Sequence, residues 1–246
     1  MNIQQDIVIT LLTLPLDTPG ATLEQVGGKG ASLARLATAG LPVPPGFHIT
    51  TGAYRSFVAE NHLQERILAF AAAVDPHDPR TLEAAATGIA RLFAEATIPG
   101  EIAEAIHLAY ARLGGEETAV AVRSSATAED LPEMSFAGQQ ETYLNIHGIA
   151  NVLVAVKRCW ASLWTARALG YRARHQIAPE QVSLAVVVQT LVAAQAAGIL
   201  FTANPMTGSR DQAMINAAWG LGEAIVSGLV TPDSIVVDKA TGALIT

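Results

Sequence analysis

Residues 184–201 carry no charged side chain, and eighteen such residues in a row are long enough to be either a membrane span or strands buried in a folded domain. Gln189, Gln195 and Gly198 interrupt the run and no Lys or Arg flanks it. Two successive buried strands are therefore expected, with no membrane partner. The Ala-rich stretches with Leu or Ile at helical spacing, such as Ile102, Ile106 and Ala109, then read as the layer that packs on this sheet.

The stretch 119–144 reads AVAVRSSATAEDLPEMSFAGQQETYL. Four small or β-branched apolar residues lead to Arg123, a pattern for a short strand with an arginine at its tip. Ser124, Ser125 and Thr127 follow, then a polar loop containing Pro132 and Phe136-Ala137-Gly138-Gln139, then a second strand-like run over 142–146. Strand, loop and returning strand make a flap whose N–H groups and hydroxyls suit phosphate oxygens. Arg123 would add the planar, permanently charged fork that phosphate prefers. A surface hairpin with an ion-paired arginine uses the same residues, so the stretch alone leaves both readings open.

Earlier in the chain, residues 7–14 read as a first strand. Val26-Gly27-Gly28-Lys29-Gly30 then leads into a helix with Leu33, Leu36 and Ala37 on one face, stopped by Gly40. Glycines ahead of a helix allow close backbone approach, the helix N-terminus favours an anion, and Lys29 adds a mobile charge. The spacing is not that of a Walker A loop, and a plain glycine turn with a solvated lysine is the competing reading. Pro42, Pro44 and Pro45 with Gly46 require an extended connection, and His48 just after them reads as structural. Residues 51–113 are expected to be helical in three segments, with breaks at 74–79 and at Pro99-Gly100. Residues 149–174 are expected to form one long helix in which Trp160 and Trp164 can touch. Strands are expected over 182–189, 198–202, 213–219 and 234–238, the last forming a hairpin with 243–246 across a turn at 239–242. A further turn is expected at 204–208.

With 246 residues, half of them apolar and 15% charged, the chain can bury a large core. A net charge of −7 argues against nucleic acid as the main partner. One local exception is the absence of acids between Glu141 and Glu180, where Lys157, Arg158, Arg167, Arg172 and Arg174 all fall. A solvated helix face is the ordinary meaning of such a run. Cys159, the only cysteine, shares a face with Val152, Val156 and Leu163 and reads as a buried small hydrophobe. Without an intrachain disulfide an ordinary reducing cytoplasm fits. The apolar N-terminal run is preceded by Asp6 and by no Lys or Arg, which is not a signal-peptide pattern.

Taken together, Gly27-Gly28-Lys29-Gly30-Ala31-Ser32-Leu33, the segment 40–47, Val122-Arg123-Ser124-Ser125-Ala126, Phe136-Ala137-Gly138-Gln139, Val188-Gln189, Gly198-Ile199-Leu200-Phe201-Thr202, and Trp219-Gly220-Leu221-Gly222-Glu223 with Ser227-Gly228 and Thr231-Pro232-Asp233 form a recognisable set. In this order they resemble the N-terminal ATP-binding domain shared by phosphoenolpyruvate synthase, pyruvate phosphate dikinase and rifampin phosphotransferase. The resemblance implies an α+β, ATP-grasp-like fold of two subdomains, residues 1–190 and a partial second subdomain over 191–246. It further implies that Lys29 and Arg123 bind the phosphates of ATP as the catalytic cations, that the loop at Gly138 with Thr142 following covers them, that Gln189 lies on the adenine side, and that Glu223 contacts the ribose or nucleotide.

In that family phosphoryl groups pass from ATP to a phosphohistidine domain and then to pyruvate or another acceptor held by a further domain. The family's Mg²⁺-holding acidic residue, its Gln-Asp-Ile-Glu-like segment and its Gln-Ser-Arg-Pro ending are not found in these 246 residues. The second subdomain is accordingly expected to be incomplete and the chain inactive by itself. A noncatalytic module that binds a nucleotide or a partner is the alternative expectation.

Overall fold

A computed structural model of the chain describes residues 12–127 and 141–245. Gly138 and the rest of the expected flap tip, like most of the expected first strand, lie outside them. The described residues fall into two compact units, one ending at Leu191 and the other beginning at Val192.

The first unit runs β1 (Thr13–Pro15), α1 (Leu23–Thr38), β2 (Gly46–Ile49), α2 (Thr51–Glu60), α3 (Gln64–Ala72), α4 (Pro79–Glu95), α5 (Gly100–Ala111), β3 (Val120–Ala126), β4 (Thr142–Ile146), α6 (Ile149–Ser162), α7 (Ala166–Arg174) and β5 (Leu184–Thr190). Its strands form one antiparallel sheet in the order β1-β2-β5-β3-β4. Strand β5, at the centre, is the valine-rich segment, and Val186, Val187 and Val188 are all fully buried. Successive side chains of a strand point to opposite faces. Val186 and Val188 therefore join Phe47, Ile49, Val120 and Val122 in the main core with the helices, while Val187 and its neighbours Ala185 and Gln189 look the other way, toward α1.

The main core is centred on aromatic rings from three helices. Phe57 of α2 lies 4.8 Å from Trp160 of α6 and 5.6 Å from Phe93 of α4, centroid to centroid. Each helix supplies an apolar stripe at the 3.6-residue period, for example Ala85, Ile89, Leu92 and Phe93 in α4. Cys159 is fully buried among them, and burial pushes its thiol pKa up, which removes it as a nucleophile.

Four expectations are corrected here. The helical stretch holds four helices, because Asn61 ends α2 by donating its amide to the Phe57 and Thr97 carbonyls, a stop made without Gly or Pro. The long helix is two, because Thr165 adopts an extended backbone and its hydroxyl caps the Ala168 N–H, which starts α7 afresh. This separates the two tryptophans into different roles: Trp160 joins the aromatic cluster, and Trp164 donates to the Tyr54 hydroxyl at 3.1 Å. Nor is the basic run simply a solvated face. Arg172 is 3% exposed, donates to the Leu163 carbonyl freed at the break, and lies 4.8 Å above the Trp164 ring. Lys157 in turn takes the Ala94 and Ala96 carbonyls at the end of α4. Lastly, α1 buries Val26, Gly27, Gly28, Gly30 and Ala34, whereas Leu36 is exposed, so the face that docks is the small-residue face.

The second unit is an antiparallel sheet in the order β6 (Ala196–Phe201), β7 (Gln212–Trp219) and β8 (Asp233–Asp238), with a short helix α8 (Glu223–Val226) between the last two. The turn after β6 is closed by Asn204, whose side-chain oxygen accepts from the Met206 and Thr207 N–H groups. Leu244 bridges to Val237 across the turn held by Asp238. The expected burial of β6 does not hold, since Leu200 and Phe201 of that strand are exposed. Among the described residues no helix is long and apolar enough to cross a membrane.

Phe57 meets both of the other large rings, so Phe57→Ala should lower unfolding stability by about 3–5 kcal/mol. A urea titration with an unchanged m-value checks this, and a loss under about 1 kcal/mol would mean that the aromatic cluster is not the centre of the core.

Candidate functional site

Helix α1 starts at Leu23, ahead of the glycines, and not after them as the sequence pattern suggests. Thr22 and Gln25 form a capping box at its start. Four residues into the helix, Gly27 leaves the helical conformation (φ 70°, ψ 176°). An uninterrupted helix would join the Gly30 N–H to the Val26 carbonyl directly. Here the hydroxyl of Ser125, from β3, stands between them: it accepts from the Gly30 N–H at 3.0 Å and donates to the Val26 carbonyl at 2.7 Å. A side chain inserted into the helical ladder is a recognised cause of a kink. At Gly27 a Cβ would sit 2.2 Å from the Ser125 carbonyl oxygen, so only glycine permits this approach of helix backbone to strand backbone.

The same turn brings Lys29 to β3, where its ammonium donates to the Ser124 carbonyl at 3.0 Å. Ser124 is held from its other side by the Glu141 carbonyl, which accepts from both its N–H and its hydroxyl. The two sequence motifs, joined by hydrogen bonds between residues 95 to 99 positions apart, are thus one structural element, which periodicity alone could not show.

Strand register places the other expected residues. Arg123 is directly opposite Thr142 on β4 and Val187 on β5, and Val187 is in turn opposite His48 on β2. Opposed residues share a sheet face. Gln189, two residues beyond Val187 on β5, is the diagonal neighbour of Arg123, at roughly 7–8 Å by sheet geometry. Arg123 and Thr142 are half-buried, and Gln189 is buried with its amide donating to the Pro44 carbonyl at 3.0 Å. Lys29, Arg123, Thr142 and Gln189 therefore meet on the α1 side of the first unit's sheet. Among the described residues no acid lies within ion-pair distance of Arg123.

His48 lies beneath the same helix turn. Its Nε2 faces the Leu16 carbonyl at 3.2 Å, so the proton belongs on Nε2, and its buried Nδ1 has no partner among the described residues. Burial lowers its pKa and keeps the ring neutral, which agrees with the structural reading of this histidine.

Gly138 lies outside the described residues. Glu223 belongs to the second unit, exposed at the start of α8, where its backbone carbonyl accepts from the Ser227 N–H and hydroxyl. A cavity of about 760 Å³ between α4 and α6, lined in part by Phe93, Tyr143 and Arg158, includes none of the motif cations. Burial, and after it the Glu141 carboxylate, pushes the Tyr143 hydroxyl there up to about 12.

Residues 23–246 match the family described as pyruvate phosphate dikinase, AMP/ATP-binding domain. Over 252 aligned positions the chain is 46% identical to the phosphoenolpyruvate synthase of Pyrococcus furiosus, covering 88% of this chain and 31% of that protein. It is 50% identical over 219 positions to the probable phosphoenolpyruvate synthase of Methanocaldococcus jannaschii, covering 87% and 18%. To the rifampicin phosphotransferase of Streptomyces sviceus it is 51% identical over 209 positions, covering 85% and 24%. The chain thus spans less than a third of the length of each of these relatives.

Two outcomes follow from the geometry. Gly40, also at positive φ but with open space where a Cβ would go, should lose only about 1–2 kcal/mol on Gly40→Ala. Gly27→Ala should lose clearly more, because the added methyl also meets the Ser125 carbonyl; equal thermal shifts for the two variants would refute the close approach. For His48, the unfolded chain takes up a proton below about pH 6.5 while the native ring stays neutral. Native stability is therefore retained above that pH and lost as pH falls through it toward the lowered native pKa. Melting temperatures at pH 7.5 and pH 5.0 should differ less in His48→Gln than in the parent chain.

Proposed function

Because the chain belongs to the pyruvate phosphate dikinase AMP/ATP-binding domain family, we propose that its Lys29–Arg123 face holds the phosphates of ATP in an ATP-grasp-like site that serves phosphoryl transfer. The observation that supports this reading most is the meeting of Lys29, Arg123, Thr142 and Gln189 on one sheet face, with Lys29 anchored on the carbonyl adjacent to Arg123. Phosphoryl transfer asks the protein chiefly for position and for positive charge where negative charge develops. Arg123, on a strand whose neighbours are buried, supplies a rigid fork, and Lys29 supplies a compact charge.

In this reading Thr142 offers its hydroxyl beside Arg123, the Gly138 loop covers the phosphates with backbone N–H groups, and Gln189 marks the adenine side. Glu223 contributes to the ribose or nucleotide from the second unit. The phosphoryl group would pass to a phosphohistidine domain, as the family resemblance implies, and then to pyruvate or another acceptor. Among the described residues no group of three His, Cys, Asp or Glu side chains is placed to hold a metal. A Mg²⁺ ion bridging the phosphates would take most of its ligands from the phosphates and water, with one or two carboxylates from the protein.

Calorimetric titration with ATP tests the reading. Arg123→Ala should weaken binding by about 2–5 kcal/mol, and Lys29→Ala by less, since water more readily replaces a flexible ammonium. ATP binding that is indifferent to both substitutions would place the phosphates elsewhere.

A further inference from the structure

Resting on that reading, we infer that Ser125 is a positioning residue which sets Lys29 relative to Arg123 by acting as a link in the ladder of helix α1. Ser125 is fully buried and lies on the same face of β3 as Arg123, two residues along. Its hydroxyl completes a chain from the Gly30 N–H through Oγ to the Val26 carbonyl, so its one proton and one of its lone pairs are committed to one turn of α1. Lys29 sits inside that turn. The ammonium's anchor, the Ser124 carbonyl, is the peptide next to Ser125, so a single dipeptide of β3 holds both the backbone and the side chain of the lysine.

Without the hydroxyl, the Val26 carbonyl and the Gly30 N–H would be left unpaired in a buried place, because Val26 is fully buried and Gly30 is buried. The chain has one economical remedy, which is to turn Gly27 back toward helical geometry and close the Gly30–Val26 bond directly. Glycine at that position makes the change conformationally easy. The consequence is a rotation of the residues between them, which carries Lys29 away from the strand that bears Arg123. The fold survives such a change, since the aromatic core lies on the other face of the sheet; the spacing of the two cations does not.

The test combines a measurement free of nucleotide with a double-mutant cycle. In Ser125→Ala, amide exchange at Gly30 should change relative to the parent chain, whether or not ATP binds; an unchanged Gly30 overturns the inference without touching the functional reading. In ATP titrations Ser125→Ala should weaken binding roughly tenfold, the size expected when buried polar groups lose a partner. That loss should nearly vanish in the Lys29→Ala background and persist in the Arg123→Ala background. An equal tenfold loss in both backgrounds, or a stability loss with unchanged affinity, would reduce Ser125 to a structural residue. Ser125→Thr, which keeps the hydroxyl, should restore binding. Should the alanine variant fail to fold, Ser125→Cys, with a weakly hydrogen-bonding group of similar size, should show the same Lys29-dependent loss, and parent-like binding by that variant would also overturn the inference. If the parent chain binds no ATP, the phosphate reading falls, and the exchange at Gly30 still decides whether Ser125 sets the turn.

Discussion

Strand β5 has no wet face, and that constraint organises the first unit. Val186, Val187 and Val188 are each fully buried, so the sheet must be covered on both sides. On one side the cover is thick, built from helices whose rings interlock around Phe57, Phe93 and Trp160. On the other, among the described residues, it is helix α1, which must come close enough to exclude water from Val187 and Ala185. A helix that close cannot present large side chains, and its docking residues are Val26, Gly27, Gly30 and Ala34. One helix cannot cover the whole face, and Arg123 and Thr142 remain half-exposed on it. Side chains on a sheet locked by a core on its far side are held more firmly than the same groups on a loop.

The sequence carried this arrangement unevenly. Arg123, Lys29 and Gln189 stand out because charged or amide groups interrupt apolar or glycine-rich stretches, and the strand at 182–189 is visible in its valines. What the pattern does not encode is contact. The Gly-Gly-Lys-Gly stretch looks like a loop ahead of a helix, and only the position of Ser125 against it explains why these glycines lie inside the helix at a kink. The two missed helix boundaries share a cause: Asn61 and Thr165 stop or start helices through side-chain bonds to backbone, where Gly or Pro would have announced a break. Residues 196–201 misled in a different manner, since apolar composition states what could be buried and not what the unit containing it has available to cover it.

The basic run after Glu141 shows why charge patterning separates cations poorly by role. Arg158 lies 5.9 Å from the Tyr143 ring, Lys157 caps α4, and Arg172 is consumed by the break between two helices. None of these can be told from a solvated cation by spacing, because each meets carbonyls or rings contributed by residues outside its own helical repeat.

Arg172 and Arg123 make the contrast between a buried cation and a half-exposed one. Arg172 is 3% exposed, with a carbonyl and an aromatic face as partners, and burial lowers its pKa to about 10, which measures how little its surroundings favour the charge. Its guanidinium is retained for geometry: it ties the Leu163 carbonyl to α7, and an anion has no open approach to it. Arg123 is half-exposed, on a flat sheet face, next to a hydroxyl and beside a lysine already held at a fixed place. The neighbouring Lys29 donates to a neutral carbonyl, that of Ser124. Arg123 thus keeps an exposed part and has no described acid within ion-pair distance, whereas Arg172 is sealed between a backbone carbonyl and a ring.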